Sequence, residues 1–129
     1  MDENSGQIRD YRDLIVWKEA VDIAELVYSL TRTFPREEAF GITSQMRRSA
    51  VSVPSNIAEG FGRAQKRSFV QFLRIAQGSL KELETQALLA ARVGLLSAEQ
   101  VASFMEQTER LGKRLVRYVR SLERSSPRS

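Results

Sequence analysis

Phe69-Val70-Gln71-Phe72-Leu73-Arg74-Ile75-Ala76-Gln77-Gly78-Ser79-Leu80-Lys81-Glu82-Leu83-Glu84-Thr85-Gln86-Ala87-Leu88-Leu89-Ala90 is the stretch that decides the fold. Its apolar positions Phe69, Leu73, Ala76, Leu80, Leu83, Ala87 and Ala90 are separated by alternating steps of four and three. On a helix that spacing draws a single apolar seam. Such a seam suits packing against other helices at shallow crossing angles. The pattern predicts a helix over residues 65–93, with Gly94 as the residue that turns the chain after it.

Outward from this seam, three more helices follow. Residues 98–124 place Val101, Phe104, Met105, Thr108, Leu111, Leu115, Val119 and Leu122 on one face, and Ser97 and Gln100 have capping-box spacing. Residues 42–61 follow Gly41, contain Pro54 and end at Gly60 and Gly62. Pro54 removes one backbone hydrogen bond and predicts a kink. Residues 14–33 carry Asp13 as a candidate N-cap, and Phe34-Pro35 stops them. Short links between long helices predict an all-α, antiparallel up-down-up-down four-helix bundle over residues 14–124, with tails at 1–13 and 125–129.

The composition agrees with one globular domain: 129 residues, 42% apolar and 28% charged. There is no Cys and no His, which excludes disulfides, thiol nucleophiles, Cys/His metal sites and the usual general base near neutral pH. No metal or other cofactor is expected. The polar start and the lack of a long apolar run predict a cytoplasmic protein without a membrane partner. The net charge of +4 is unevenly spread. Residues 1–30 hold 3 basic and 7 acidic side chains, residues 31–68 hold 7 and 3, and residues 98–129 hold 7 and 4. Faces of opposite sign follow from this.

Four constellations bear on function. On the last helix Arg110, Lys113, Arg117, Arg120 and Arg124 fall within about 80° of one another, with Arg114 beside them. Six cations along about 20 Å of helix can track a phosphate backbone, and Arg favours phosphate through bidentate contacts. A solvated outer face accounts for the same stripe. The link residues Arg63, Lys66 and Arg67 lie near a helix start, where amides also favour anions, although a charged loop is the plainer account.

On the second helix Gln45, Arg48, Ser52, Asn56, Glu59 and Arg63 form a polar ladder opposite Ile42, Met46, Ala50, Val53 and Ile57. The ladder suits a hydrogen-bonded contact between chains, or Ser52 and Asn56 satisfy backbone groups freed by Pro54. On the first helix Trp17, Ala20, Val21, Ala24, Val27 and Tyr28 form a stripe that Ile15, Val16, Ile23, Leu26 and Leu30 widen. A single bundle buries a narrower face, so Val16, Ile23, Leu26 and Leu30, with Gln45, Arg48, Ser52, Asn56 and Glu59, are the candidate oligomer interface. A monomer with these residues covered by its tails is the alternative. No catalytic set emerges: Glu59 is the one carboxylate in a polar cluster, and Arg63 stands four residues on. A non-enzyme with no small-molecule substrate is expected.

Certain motifs carry a family resemblance. Asp13-Leu14-Ile15-Val16-Trp17-Lys18-Glu19-Ala20, Gln45-Met46-Arg47-Arg48-Ser49-Ala50 and, most densely, Ser52-Val53-Pro54-Ser55-Asn56-Ile57-Ala58-Glu59-Gly60-Phe61-Gly62-Arg63 resemble the 23S rRNA intervening-sequence protein family. The likeness continues through residues 72–84 and covers about residues 10–122. Ala64-Gln65 departs from the family's usual small polar cap. The resemblance implies a bacterial bundle that assembles as a ring-like homopentamer and has no established enzymatic activity. Related proteins are accessory factors of diversity-generating retroelements, which implies binding to RNA or DNA, or to a protein such as a reverse transcriptase. Two expectations follow: a homo-oligomer holding RNA or DNA on its basic surface, or an assembly adaptor that recruits a protein partner.

Overall fold

The computed structural model describes residues 8–125. Four α-helices account for most of it: α1 (Ile15–Thr31), α2 (Ile42–Phe61), α3 (Lys66–Arg92) and α4 (Ala98–Arg124). Single 3₁₀ turns, Tyr11–Asp13 and Arg36–Glu38, precede α1 and α2. Among the described residues there is no strand, and no helix is long and apolar enough to cross a membrane. Of the expected tails, 1–13 and 125–129, residues 1–7 and 126–129 lie outside the described residues, while Tyr11–Asp13 form a 3₁₀ turn.

The seam of α3 is buried along its whole length, with Leu73, Ala76, Leu83, Ala87 and Ala90 fully enclosed. Opposite them lie Val16, Ala20 and Val27 of α1, Met46, Val53 and Ile57 of α2, and Phe104, Leu111 and Leu115 of α4. Each helix packs on its neighbours in chain order and α1 closes on α4, so α1 and α3 lie across one diagonal and α2 and α4 across the other. Ser52 Oγ meets Ser79 Oγ at 2.8 Å, and Phe61 meets Phe69 edge-on at 5.7 Å. Later residues of α2 thus face earlier residues of α3, and these two helices run antiparallel. Lys66 meets Ser125 at 2.8 Å, Phe69 meets Tyr118 at 5.6 Å and Leu80 lies opposite Gly112, so α3 and α4 do the same.

Local chemistry sets the ends. Ser97 Oγ accepts from the Gln100 amide at 3.0 Å while Gln100 Oε1 accepts from the Ser97 amide at 2.9 Å, the expected capping box. Gly94 takes φ +88°, and the Leu95 amide reaches back to the Ala90 carbonyl at 2.8 Å. Only glycine adopts that conformation without cost, so the α3–α4 turn is fixed there. α2 continues through Pro54. Pro54 lacks the amide that would pair with the Ala50 carbonyl. Asn56 Nδ2 donates instead to the Ser52 carbonyl and hydroxyl, at 2.8 and 3.0 Å, so this side chain does not repair the proline gap.

The start of α1 differs from expectation. Asp13 does not cap it; its Oδ2 accepts from the Arg9 and Asp10 amides at 2.8 and 3.2 Å and closes the turn before it. Those amide bonds hold the Asp13 carboxyl below the usual aspartate range, and the Arg12 side chain does the same to Asp10. Tyr11 then stacks edge-on against Trp17 at 5.3 Å, and Leu14 is fully buried. Residues 8–14 therefore cover part of the wide apolar face of α1.

Candidate nucleic-acid interface

The basic stripe lies on the outside of α4. Arg110, Lys113, Arg117, Arg120 and Arg124 are all exposed, because Leu111, Leu115, Val119 and Leu122 turn the other side of the helix into the core. None of these five forms an ion pair among the described residues. Lys113, Arg117 and Arg120 also form one wall of a groove of 970 Å³ between α3 and α4. Lys81 of α3 lines it as well, as does Glu109, and Gly112 opens its floor towards Leu80. The sequence pattern does not single out Lys81. Its place opposite the stripe depends on the α3–α4 register, which no single-helix pattern encodes.

Arg114 departs from the stripe. Its Nε lies 3.1 Å from Oε1 of Glu19 on α1, and each side chain is only 26% exposed. One step around the helix from Arg110 and Arg117 is enough to turn Arg114 inward, so its charge is used within the bundle and leaves the exposed set. Glu123, between Arg120 and Arg124, pairs with Arg74 of α3 at 2.7 Å and leaves its neighbours unneutralised.

The link after α2 joins the far end of the stripe. Lys66 Nζ donates to Ser125 Oγ at 2.8 Å, which sets the start of α3 against the end of α4 beside Arg124. Arg67 is exposed there. Arg63 pairs with Glu59 at 3.0 Å and lies over the Phe72 ring at 4.8 Å, so it is anchored between the end of α2 and α3. The two basic segments, separate in sequence, meet at one end of the molecule.

The interface residues divide. Val16 and Ile23 are buried in the bundle's own core and cannot meet another chain. Their burial comes from Leu14 and the closing contact of α1 with α4, which together enclose more of α1 than a single stripe. Leu26 and Leu30 are half-buried against the same core. Ser52 and Asn56 are tied to Ser79 and to each other, while Gln45, Arg48 and Glu59 remain exposed. Tyr28 of α1 and Val51 of α2 face outward, and the most exposed apolar side chains lie elsewhere: Phe40 is 99% exposed before α2, Ile75 and Leu89 of α3 are 50% and 52% exposed, and Val93 just after α3 is 61% exposed. Gly78 is exposed on the same helix, and a Cβ there would touch nothing.

Among the described residues no cluster of carboxylates could hold a metal ion. Glu84 is buried beside Lys81, 3.2 Å from its ammonium, with no second acid in contact.

Comparison with known proteins gives two findings. The sequence model described as "23S rRNA-intervening sequence protein" matches residues 12–117. A crystal structure of a protein of unknown function from the S23 ribosomal protein family of Bacteroides thetaiotaomicron superposes with a TM-score of 0.77 at 23% identity, over 82% of this chain and 96% of that one. At that identity the likeness speaks for the fold. No curated protein sequence matches.

Proposed function

The chain belongs to the 23S rRNA-intervening sequence protein family, and from that premise we propose that it is a non-enzymatic, self-associating bundle that binds RNA or DNA along α4. One observation supports this most: four cations from two helices, Lys81, Lys113, Arg117 and Arg120, line one groove, and Arg110 and Arg124 extend its rim along the helix. A groove of this kind follows a phosphate backbone and releases its counterions without reading bases. Self-association, as the family resemblance implies for a homopentamer, would use the exposed apolar row Ile75, Leu89 and Val93 beside Gly78 on α3. The binding test is affinity for a short duplex RNA at rising salt. Tight binding at low salt that falls steeply is expected; a flat response would overturn the reading.

The second reading is an adaptor that recruits a protein, such as the reverse transcriptase of a retroelement, without touching nucleic acid. The exposed apolar row on α3 favours it. Co-purification of a protein partner after nuclease treatment, from a bundle that fails to bind RNA, would decide for it.

A further inference from the structure

The α1–α2 corner holds a second groove, of 590 Å³, on the opposite side of the bundle from the α4 stripe. Tyr28, Phe40, Thr43, Ser44, Arg47 and Arg48 line it, and none of its lining residues is acidic. We infer that this groove takes one unstacked nucleotide of a single strand, with its base on Phe40 and its phosphate between Arg47, Arg48 and the first turn of α2. The inference adds a contact to the nucleic-acid reading above and rests on it.

Four features carry it. Phe40 is 99% exposed, a cost for an aromatic ring with nothing to stack on. Arg47 is already oriented: its Nε donates to Thr31 Oγ1 at 2.9 Å, Thr31 Oγ1 donates to the Val27 carbonyl at 2.7 Å, and the guanidinium lies over Tyr28 at 4.6 Å. The planar cation is thus held against the groove wall before any ligand arrives. Arg48 is exposed and forms no ion pair among the described residues.

The fourth feature is the start of α2. Gly41 has no side chain to cap the first turn, and no side chain accepts from the amides there, although the Glu38 carboxylate is the nearest group to Gly41. Thr43 is more than nine-tenths buried, yet its hydroxyl has no hydrogen-bond partner among the described residues. Two guanidinium groups on one wall, with no acid among the lining residues, are the donor set for a phosphate. The neighbouring aromatic ring supplies the sequence-tolerant half of single-strand recognition.

The test uses fluorescein-labelled oligouridine as single strand, a hairpin duplex RNA, and uridine monophosphate, with the full chain. Phe40→Ala is fully surface-exposed and leaves the core intact; it is expected to weaken oligouridine about tenfold, the scale of one base–aromatic stack, and to leave the duplex unchanged. Arg48→Ala is expected to lower the salt slope for oligouridine by about 0.7. Uridine monophosphate is expected to shift the Thr43 and Ser44 amide resonances, more weakly than the strand does. Equal affinity for the free nucleotide would make it, and not a strand, the ligand and overturn the inference.

Full oligouridine binding by Phe40→Ala, abolished on substituting Lys113, Arg117 and Arg120 with Ala, would sink the groove and leave the stripe standing. The reverse outcome would sink the stripe alone. A Phe40→Ala change in sedimentation with unaltered RNA affinity would show the groove to be a contact between chains, and would overturn the inference.

Discussion

A Cβ built on Gly60 would stand 2.5 Å from the Cβ of Phe72, closer than any two such atoms can sit. The clash is at the root of the Phe72 side chain, so no rotamer change relieves it. Gly60 is therefore where α2 and α3 approach most tightly. Gly60→Ala is expected to lower stability by about 1–2 kcal/mol, overpacking exceeding the gain in helix propensity. Gly78→Ala, which meets nothing, is expected to raise it by about 0.8 kcal/mol. Urea denaturation of both variants checks the pair. A change in sedimentation for Gly78→Ala alone would place that face in a contact between chains.

Replacing Lys113, Arg117 and Arg120 together with Ala should leave the melting temperature within a degree or two, since all three are solvated. Duplex RNA affinity should fall at least about tenfold, and the slope of log affinity against log salt should shrink by about 0.9 for each phosphate no longer neutralised. Fluorescence anisotropy over a salt series measures both.

Glu19→Gln removes the carboxylate that pairs with Arg114 in a half-buried setting. The expected loss is about 1 kcal/mol, between the values for exposed and for buried pairs. A double-mutant cycle with Arg114→Gln should recover a coupling of similar size. RNA affinity should stay level in Arg114→Gln, in contrast to the stripe variants.

Acid should loosen the turn before α1 late in a titration. The Asp13 carboxyl, lowered by the Arg9 and Asp10 amides, stabilises the turn when ionised. A depressed pKa means that this contribution is full above the ordinary aspartate value and is lost as pH falls through the lower, folded one. Trp17 emission, reporting its contact with Tyr11, is expected to change only below the ordinary aspartate range. Asp13→Asn should show that altered emission already at neutral pH.

Periodicity made the bundle legible. Leu73, Leu80, Leu111 and Leu115, which one-dimensional spacing places inward, are all enclosed, and α2 and α4 start and end where the pattern placed them. What spacing cannot carry is the angular position of a residue at the border between two faces. Arg114 is such a residue, and the partner that claims it, Glu19, is remote in sequence. Val16 and Ile23 differ from expectation for a related reason: α1 packs on both α2 and α4, and the width of apolar face this encloses is not encoded in one helix. Lys81 and the Lys66–Ser125 contact likewise depend on helix register. Phe40 had a weaker signal, the second of two aromatic rings in the α1–α2 link, just ahead of Gly41.

The diagonal placement of α2 and α4 sets how many molecules of ligand one chain can engage. The two proposed sites on those helices point away from each other, so a short oligonucleotide that fills one leaves the other vacant. Longer polymers would be tethered at both and drawn into bridged networks near equal stoichiometry, then released into single complexes when protein is in excess. Light scattering of the monomeric chain would therefore pass through a maximum during a titration, a profile that a monomer with one site does not give.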